Sequence, residues 1–157
     1  MKCSQGKDHL LEVDVKIAIG ADHGGFHLKE MIRVLVEELG HEVQDLGCYT
    51  TASVDYPDLA KLVCEKVEAG TVDRGILICG TGLGMSMAAN RYAHVRAALC
   101  HDHYTARMSR EHNNANVLCM GERVVGLGVA EDIVRTWLAV EFSGGRHLGR
   151  IELYSKC

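Results

Sequence analysis

Proline is nearly missing from this chain: one residue in 157, Pro57, beside one tryptophan, two phenylalanines and five tyrosines. So little proline excludes a proline-rich linker or a polyproline recognition segment. No apolar run reaches the length of about 18 residues that would mark a membrane span. The opening stretch MKCSQGKDHLLEVD lacks the apolar core of a signal peptide. It reads as a short, poorly ordered extension over 1–14, with one folded domain expected over 15–157. Seven cysteines stand at 3, 48, 64, 79, 100, 119 and 157, and no CxxC pair occurs among them. The spacing therefore gives a zinc site no support, and no metal or cofactor is expected. Cys79, Cys100 and Cys119 lie in or at the ends of apolar runs, where free cysteine behaves as a small hydrophobe; a reducing, cytoplasmic setting fits them. The net charge of −4 argues against nucleic acid or an anionic membrane surface as the main partner.

What the chain does have is alternation. VKIAIG (15–20), HEVQDL (41–46), GILIC (75–79), VRAALC (95–100) and NVLCMG (116–121) read as strands. Helical segments run between and after them. One covers 25–40 and stops at Gly40. Another covers 58–69, with Leu59, Leu62, Val63 and Val67 on one face. A short helix ends at Asn90, and two more cover 102–113 and 128–142. Strands alternating with helices predict an α/β fold: a single Rossmann-like three-layer domain. Its mostly parallel five-stranded sheet has helices on both faces and right-handed crossovers. Ligands of such sheets bind beyond the carboxyl ends of the strands. That rule singles out five turns: GADHGG, GCYTTASVDYP, CGTGLG, CHDHY and MGERVVG.

The turn after GILIC is the most unusual. Cys79 is followed by Gly80, Gly82 and Gly84 at alternate positions. A dinucleotide fingerprint needs G-x-G-x-x-G, a P-loop needs a lysine, and a phosphatase loop needs an arginine where Met85 stands. A nest of backbone N–H donors remains, suited to an anion or a developing oxyanion, unless the glycines only permit a tight turn. A thiol at the start of a helix can lose its proton near neutral pH and act as nucleophile, redox centre or general base; otherwise Cys79 is a core residue. Asp22 and His23 follow the first strand, where they can bind a polyol or phosphate or cap a helix. The segment SREHNNAN supplies His112, Asn113 and Asn114 at a helix C-terminus. His112 can carry a proton near neutrality or simply face the helix dipole. Arg123, Arg146 and Arg150 offer permanent charge to a phosphate. The last two are four apart, so one helical turn would put both on one face, unless they form a solvated tail. Arg91, Arg96, Arg107 and Arg110 are taken as surface residues, and His101 and His103 as wall residues. A base, a mobile histidine, an oxyanion nest and arginines suit proton transfer next to a carbonyl, as in moving the carbonyl of a sugar phosphate from C1 to C2.

The segments VKIAIGADHGGFHLKE, SVDYPDLA, GILICGTGLGMSMAANR, VRAALCHDHYTARMSREHNNANVLCMGERVVG and FSGGRHLGR closely resemble the ribose-5-phosphate isomerase B family, in order, from about Val15 to Arg150. That family shares a superfamily with the galactose-6-phosphate isomerase subunits. The resemblance implies a metal-independent aldose–ketose isomerase that interconverts D-ribose 5-phosphate and D-ribulose 5-phosphate through a cis-enediolate, in the non-oxidative pentose phosphate pathway. It implies that Cys79 is the base, with the Thr81 hydroxyl beside it, and that His112 opens the furanose ring. Gly80, Gly82, Leu83 and Gly84 correspond to the loop that holds the enediolate oxygens, and Asn113 to a ligand of the carbonyl end. Asp22 and His23 match sugar- and phosphate-contacting positions, Tyr56 a wall residue, and Arg123, Arg146 and Arg150 the phosphate clamp. A homodimer or dimer of dimers with sites shared between subunits is also implied. Other readings are an isomerase of a six-carbon sugar phosphate (galactose or allose 6-phosphate) and a non-catalytic phosphosugar-binding or redox-sensing protein.

Overall fold

A computed structural model describes residues 14–155, so the segment read as an extension lies outside the described residues except for Asp14. Five parallel strands form one sheet: β1 (Lys16–Ala21), β2 (Glu42–Asp45), β3 (Arg74–Cys79), β4 (Ala97–Leu99) and β5 (Val117–Gly121), in the order β2-β1-β3-β5-β4. The helices are α1 (Phe26–Glu38), α2 (Tyr56–Glu68), α3 (Leu83–Ala89), α4 (His103–Glu111), α5 (Leu127–Ala139) and α6 (Arg146–Tyr154). A one-turn 3-10 segment, His23–Gly25, leads into α1. This is the expected three-layer α/β arrangement.

Alternation along the strands decides which layer each side chain joins. In β3, Ile76 and Ile78 point into one core with Ile32, Val36, Ile133 and Trp137 from α1 and α5. Leu77 and Cys79 point into the other, with Leu59, Val63 and Met85 from α2 and α3. Every residue of β3 and β5 is buried, as expected for central parallel strands covered on both sides. The helices bury stripes at helical spacing: Leu28, Ile32, Leu35 and Val36 in α1, and Ala130, Ile133, Val134, Trp137 and Leu138 in α5.

Several boundaries differ from expectation for local reasons. The second helix starts at Tyr56 rather than at 58, because Pro57 has the fixed φ of a first helical turn and extended Asp55 precedes it. The fourth strand shrinks to three half-buried residues at the sheet edge, where the apolar run no longer has a partner on both sides. The long segment over 128–142 breaks early, since Val140 is extended. The structure also adds a helix that the strand-and-helix alternation did not include, α6. Among the arginines taken as surface residues, Arg110 is buried and Arg96 half-buried. Their guanidinium groups are satisfied by backbone carbonyls: Arg110 bonds Val140 O and Ala115 O and lies over the Trp137 ring, and Arg96 bonds Asn114 O. Burial, then repulsion by Arg74 and Arg96, pulls the Arg110 pKa down to about 10, with Glu141 opposing.

Candidate active site

The carboxyl end of β3 is where the chain departs most from routine geometry. β3 delivers Cys79 to the lip of the sheet, 5% exposed, and the Gly82 N–H donates to its Sγ at 3.1 Å. That contact requires the loop to fold back over the sulfur, and Gly82 does so at φ +78. A Cβ there would lie 2.5 Å from Leu99 Cδ1 and 2.8 Å from the Met120 carbonyl carbon, so no larger residue fits. Gly121 likewise lies against the Thr81 backbone, and Gly84 against the Tyr56 ring, where a Cβ would sit 2.8 Å from Cζ. The Thr81 hydroxyl accepts the Leu83 N–H at 3.3 Å, and its residue is exposed at the mouth of the loop with Leu83.

The other core thiols differ from Cys79 in setting. Burial pushes Cys64 up to about 12 and Cys100 up to about 11, and holds Cys119 well above the ordinary thiol range. These are apolar packing groups. Cys79 alone among these four accepts a backbone N–H within a glycine turn.

Around that turn the first strand places Asp22, whose Oδ1 accepts the Gly24 N–H at 2.8 Å and caps the one-turn segment. Gly24 lies against the Gly80 backbone, where its Cβ would meet the Gly80 nitrogen at 3.2 Å. His23, exposed, accepts the Val54 N–H on Nδ1 at 3.3 Å, which leaves Nε2 as the ring's other polar atom. Arg123 donates its backbone N–H to Gly80 O at 3.0 Å and runs its guanidinium alongside Gly80. Asp22, His23, Tyr56, Cys79, Gly80, Thr81, Gly82, Leu83, Gly84 and Arg123 therefore form one cluster.

His112, Asn113, Arg146 and Arg150 are not in it. α4 runs back against the strand direction, and His112 caps its C-terminus. The turn beyond it leads into β5, where Val117 is level with Gly75, whereas Cys79 is level with Gly121. Four strand steps separate these levels, about 13 Å, so His112 lies at the opposite end of the sheet from the thiol. There Asn114, at φ +47, is clamped by Arg110 at Oδ1 (3.1 Å) and by Arg96 at its carbonyl (3.0 Å). Ser143 N donates to Glu111 O at 3.0 Å, which brings α6 against the end of α4. The His147 imidazole then stacks on that of His112, centroids 4.0 Å apart and planes within 10°. Arg146 and Arg150 are exposed on either side of His147. A groove of about 710 Å³ beside this cluster, lined by Arg91, Arg96, Asn113 and Tyr154 among others, does not reach Cys79.

Sequence reasoning missed two residues that the structure brings into these clusters. Glu122 Oε2 accepts the Leu28 N–H at 2.9 Å, capping α1 from 94 residues away, while its own N–H donates to Cys79 O at 2.9 Å. It ties its own turn to the start of the Cys79 turn and to the first turn of α1. Its place in MGERVVG was a signal, but its acceptor role depends on a contact too distant in sequence to read. His147 is the other; its position between Arg146 and Arg150 was the only hint.

Comparison with known proteins places these clusters in context. A family model described as Ribose/Galactose Isomerase matches residues 17–153. Ribose-5-phosphate isomerase B of Escherichia coli is 50% identical over 137 residues, covering 87% of this chain and 92% of the relative. The Clostridium thermocellum ribose-5-phosphate isomerase B structure superposes with a TM-score of 0.89 at 55% identity, covering 90% of this chain and 95% of that one. The Trypanosoma brucei type B ribose 5-phosphate isomerase gives a TM-score of 0.89 at 48% identity, covering 92% and 99%.

Proposed function

This chain belongs to the ribose/galactose isomerase family, and on that premise we propose that it interconverts D-ribose 5-phosphate and D-ribulose 5-phosphate in the non-oxidative pentose phosphate pathway of the cytoplasm. The observation that carries the proposal is the Cys79 sulfur held beneath a glycine loop at the strand end, with Asp22, His23 and Arg123 around it. In this reading His112 first opens the furanose. It takes the proton of the C1 hydroxyl, the C1–O4 bond breaks as the C1 carbonyl forms, and the imidazolium returns that proton to O4. The Cys79 thiolate then removes the proton from C2. The electron pair becomes the C1–C2 double bond, and the charge that develops on O1 falls to the N–H donors of the 80–84 loop, the Thr81 hydroxyl and Asn113. Returning that proton to C1, while the O2 proton passes to O1, leaves the ketone at C2 with no atom gained or lost. Arg123, Arg146 and Arg150 hold the phosphate, Tyr56 and Leu83 line the mouth, and no cofactor takes part.

His112 cannot reach a sugar over Cys79 of its own chain, since a sheet's length separates them. A homodimer, alone or paired into a tetramer, completes each site: one subunit supplies the thiol cluster and the other supplies His112, Asn113, Arg146 and Arg150.

The test is conversion of ribose 5-phosphate to ribulose 5-phosphate with EDTA present, by wild type and Cys79→Ala. Wild type is expected to turn over, and the variant to lose at least about a thousandfold in kcat while still binding substrate. An inactive wild type, or a fully active variant, would overturn the reading.

A further inference from the structure

The His112–His147 stack lies outside the roles given above, and the chemistry of ring opening gives it one. A histidine at a helix C-terminus can turn about both side-chain torsions, yet ring opening asks one imidazole to meet two oxygens of the same sugar. Orientation of that kind needs the ring plane fixed in advance. In the structure both degrees of freedom are restrained. The His147 ring covers one face of His112 at 4.0 Å and nearly parallel, and Glu111 Oε1 stands 3.8 Å from His112 Nε2 at the ring edge.

Resting on the reading of His112 as the ring-opening group, we propose that His147 is a positioning residue for that step, holding the His112 imidazole in the plane that meets the anomeric hydroxyl. The charged and titratable groups around the pair are Glu111 on α4 and Arg146 and Arg150 on α6. Loss of solvent, then the charges of His112, Arg146 and Arg150, lower the pKa of His147, with Glu111 opposing. A lowered pKa favours the uncharged His147 ring, whose flat face lies against His112. The helix that carries this ring also carries both arginines, at i−1 and i+3 from His147. Phosphate bound by Arg146 and Arg150 therefore sets the helix that sets the His112 ring, so gripping the substrate and orienting the ring-opening group are one event.

The experiment separates ring opening from proton transfer by choice of substrate. 4-Deoxyribose 5-phosphate has no C4 oxygen with which to close a furanose, so it enters acyclic. His147→Ala is expected to lower kcat on ribose 5-phosphate about tenfold and to leave turnover of the deoxy analogue at the wild-type rate. His147→Phe, which keeps a flat face against His112, is expected to restore most of the ribose 5-phosphate rate. Equal losses on both substrates, or no loss on ribose 5-phosphate, would overturn the proposal. His112→Ala run in parallel keeps the two readings apart. If it too falls equally on both substrates, the ring-opening assignment of His112 has failed. If it is selective and His147→Ala is not, only the role of His147 has failed.

Discussion

At Gly82 one residue serves fold and site together. Its φ of +78 bends the loop over Cys79 and aims its N–H at the sulfur, while Leu99 and Met120 close the space a side chain would need. Gly82→Ala should therefore cost about 1–3 kcal/mol of stability from strained backbone and steric conflict. It should also move the N–H away from the thiol, so activity should fall further than the fraction unfolded accounts for. Urea unfolding beside a rate measurement under folding conditions checks both; a variant as stable and as active as wild type would remove the reason for this glycine. The glycine and the thiol were legible in the sequence, because an alternation of glycines after a buried strand has few uses. Their contacts were not, since Leu99 and Met120 arrive from two other strands.

Among the elements, α1 shows how a buried charge supports the site from a distance. Lys29 Nζ is fully buried and bonds Asp45 at 2.7 Å and 3.0 Å and Glu30 at 2.7 Å. Asp45 Oδ1 also accepts the Gly47 N–H at 2.9 Å, which pins the start of the loop that brings Val54 to His23 and Tyr56 to Gly84. Burial alone would lower the Lys29 pKa, but hydrogen bonds and charge from Asp45 and Glu30 outweigh it and hold it above the usual 10.5. The hydrogen bond from Lys29 draws the Glu30 carboxyl below its usual 4.5 against the effect of burial, with Lys29 charge and Arg33 adding to it. The lowered carboxyl contributes stability in full above pH 4.5, lost as pH falls through its folded pKa; the raised ammonium contributes below pH 10.5, lost as pH rises through its own. Lys29→Ala should cost about 3 kcal/mol near neutral pH, the low end for a broken buried pair because Glu30 and Asp45 are partly exposed. Its deficit should shrink below pH 4.5; a deficit that stayed constant down to pH 3.5 would contradict this. The Lys29 ion pair was hidden in a helix that reads as ordinary amphipathic sequence, because its partner Asp45 belongs to a different strand. α6 was hidden too: its apolar content is low, its glycines at 144, 145 and 149 read as loop, and only the spacing of Arg146 and Arg150 suggested a turn of helix.

For the whole molecule, the layer order and the parallel sheet were legible because the period of the apolar residues changes cleanly between strand and helix. The distance between His112 and Cys79 was not, because residue lists carry no end-to-end geometry. Parallel strands put every strand-to-helix turn at one end and every helix-to-strand turn at the other, so His112 had to lie far from Cys79 once it closed α4. One measurement bears on this directly. Cys79→Ala and His112→Ala, each expected to be inactive on ribose 5-phosphate alone, are mixed under conditions that exchange subunits. In a shared-site dimer each hybrid has one doubly damaged site and one intact site. Half the dimers in an equal mixture are hybrids, so about a quarter of wild-type activity should return. If each site were built within one chain, every site in the mixture would lack one group, and activity would stay at the level of the separate variants.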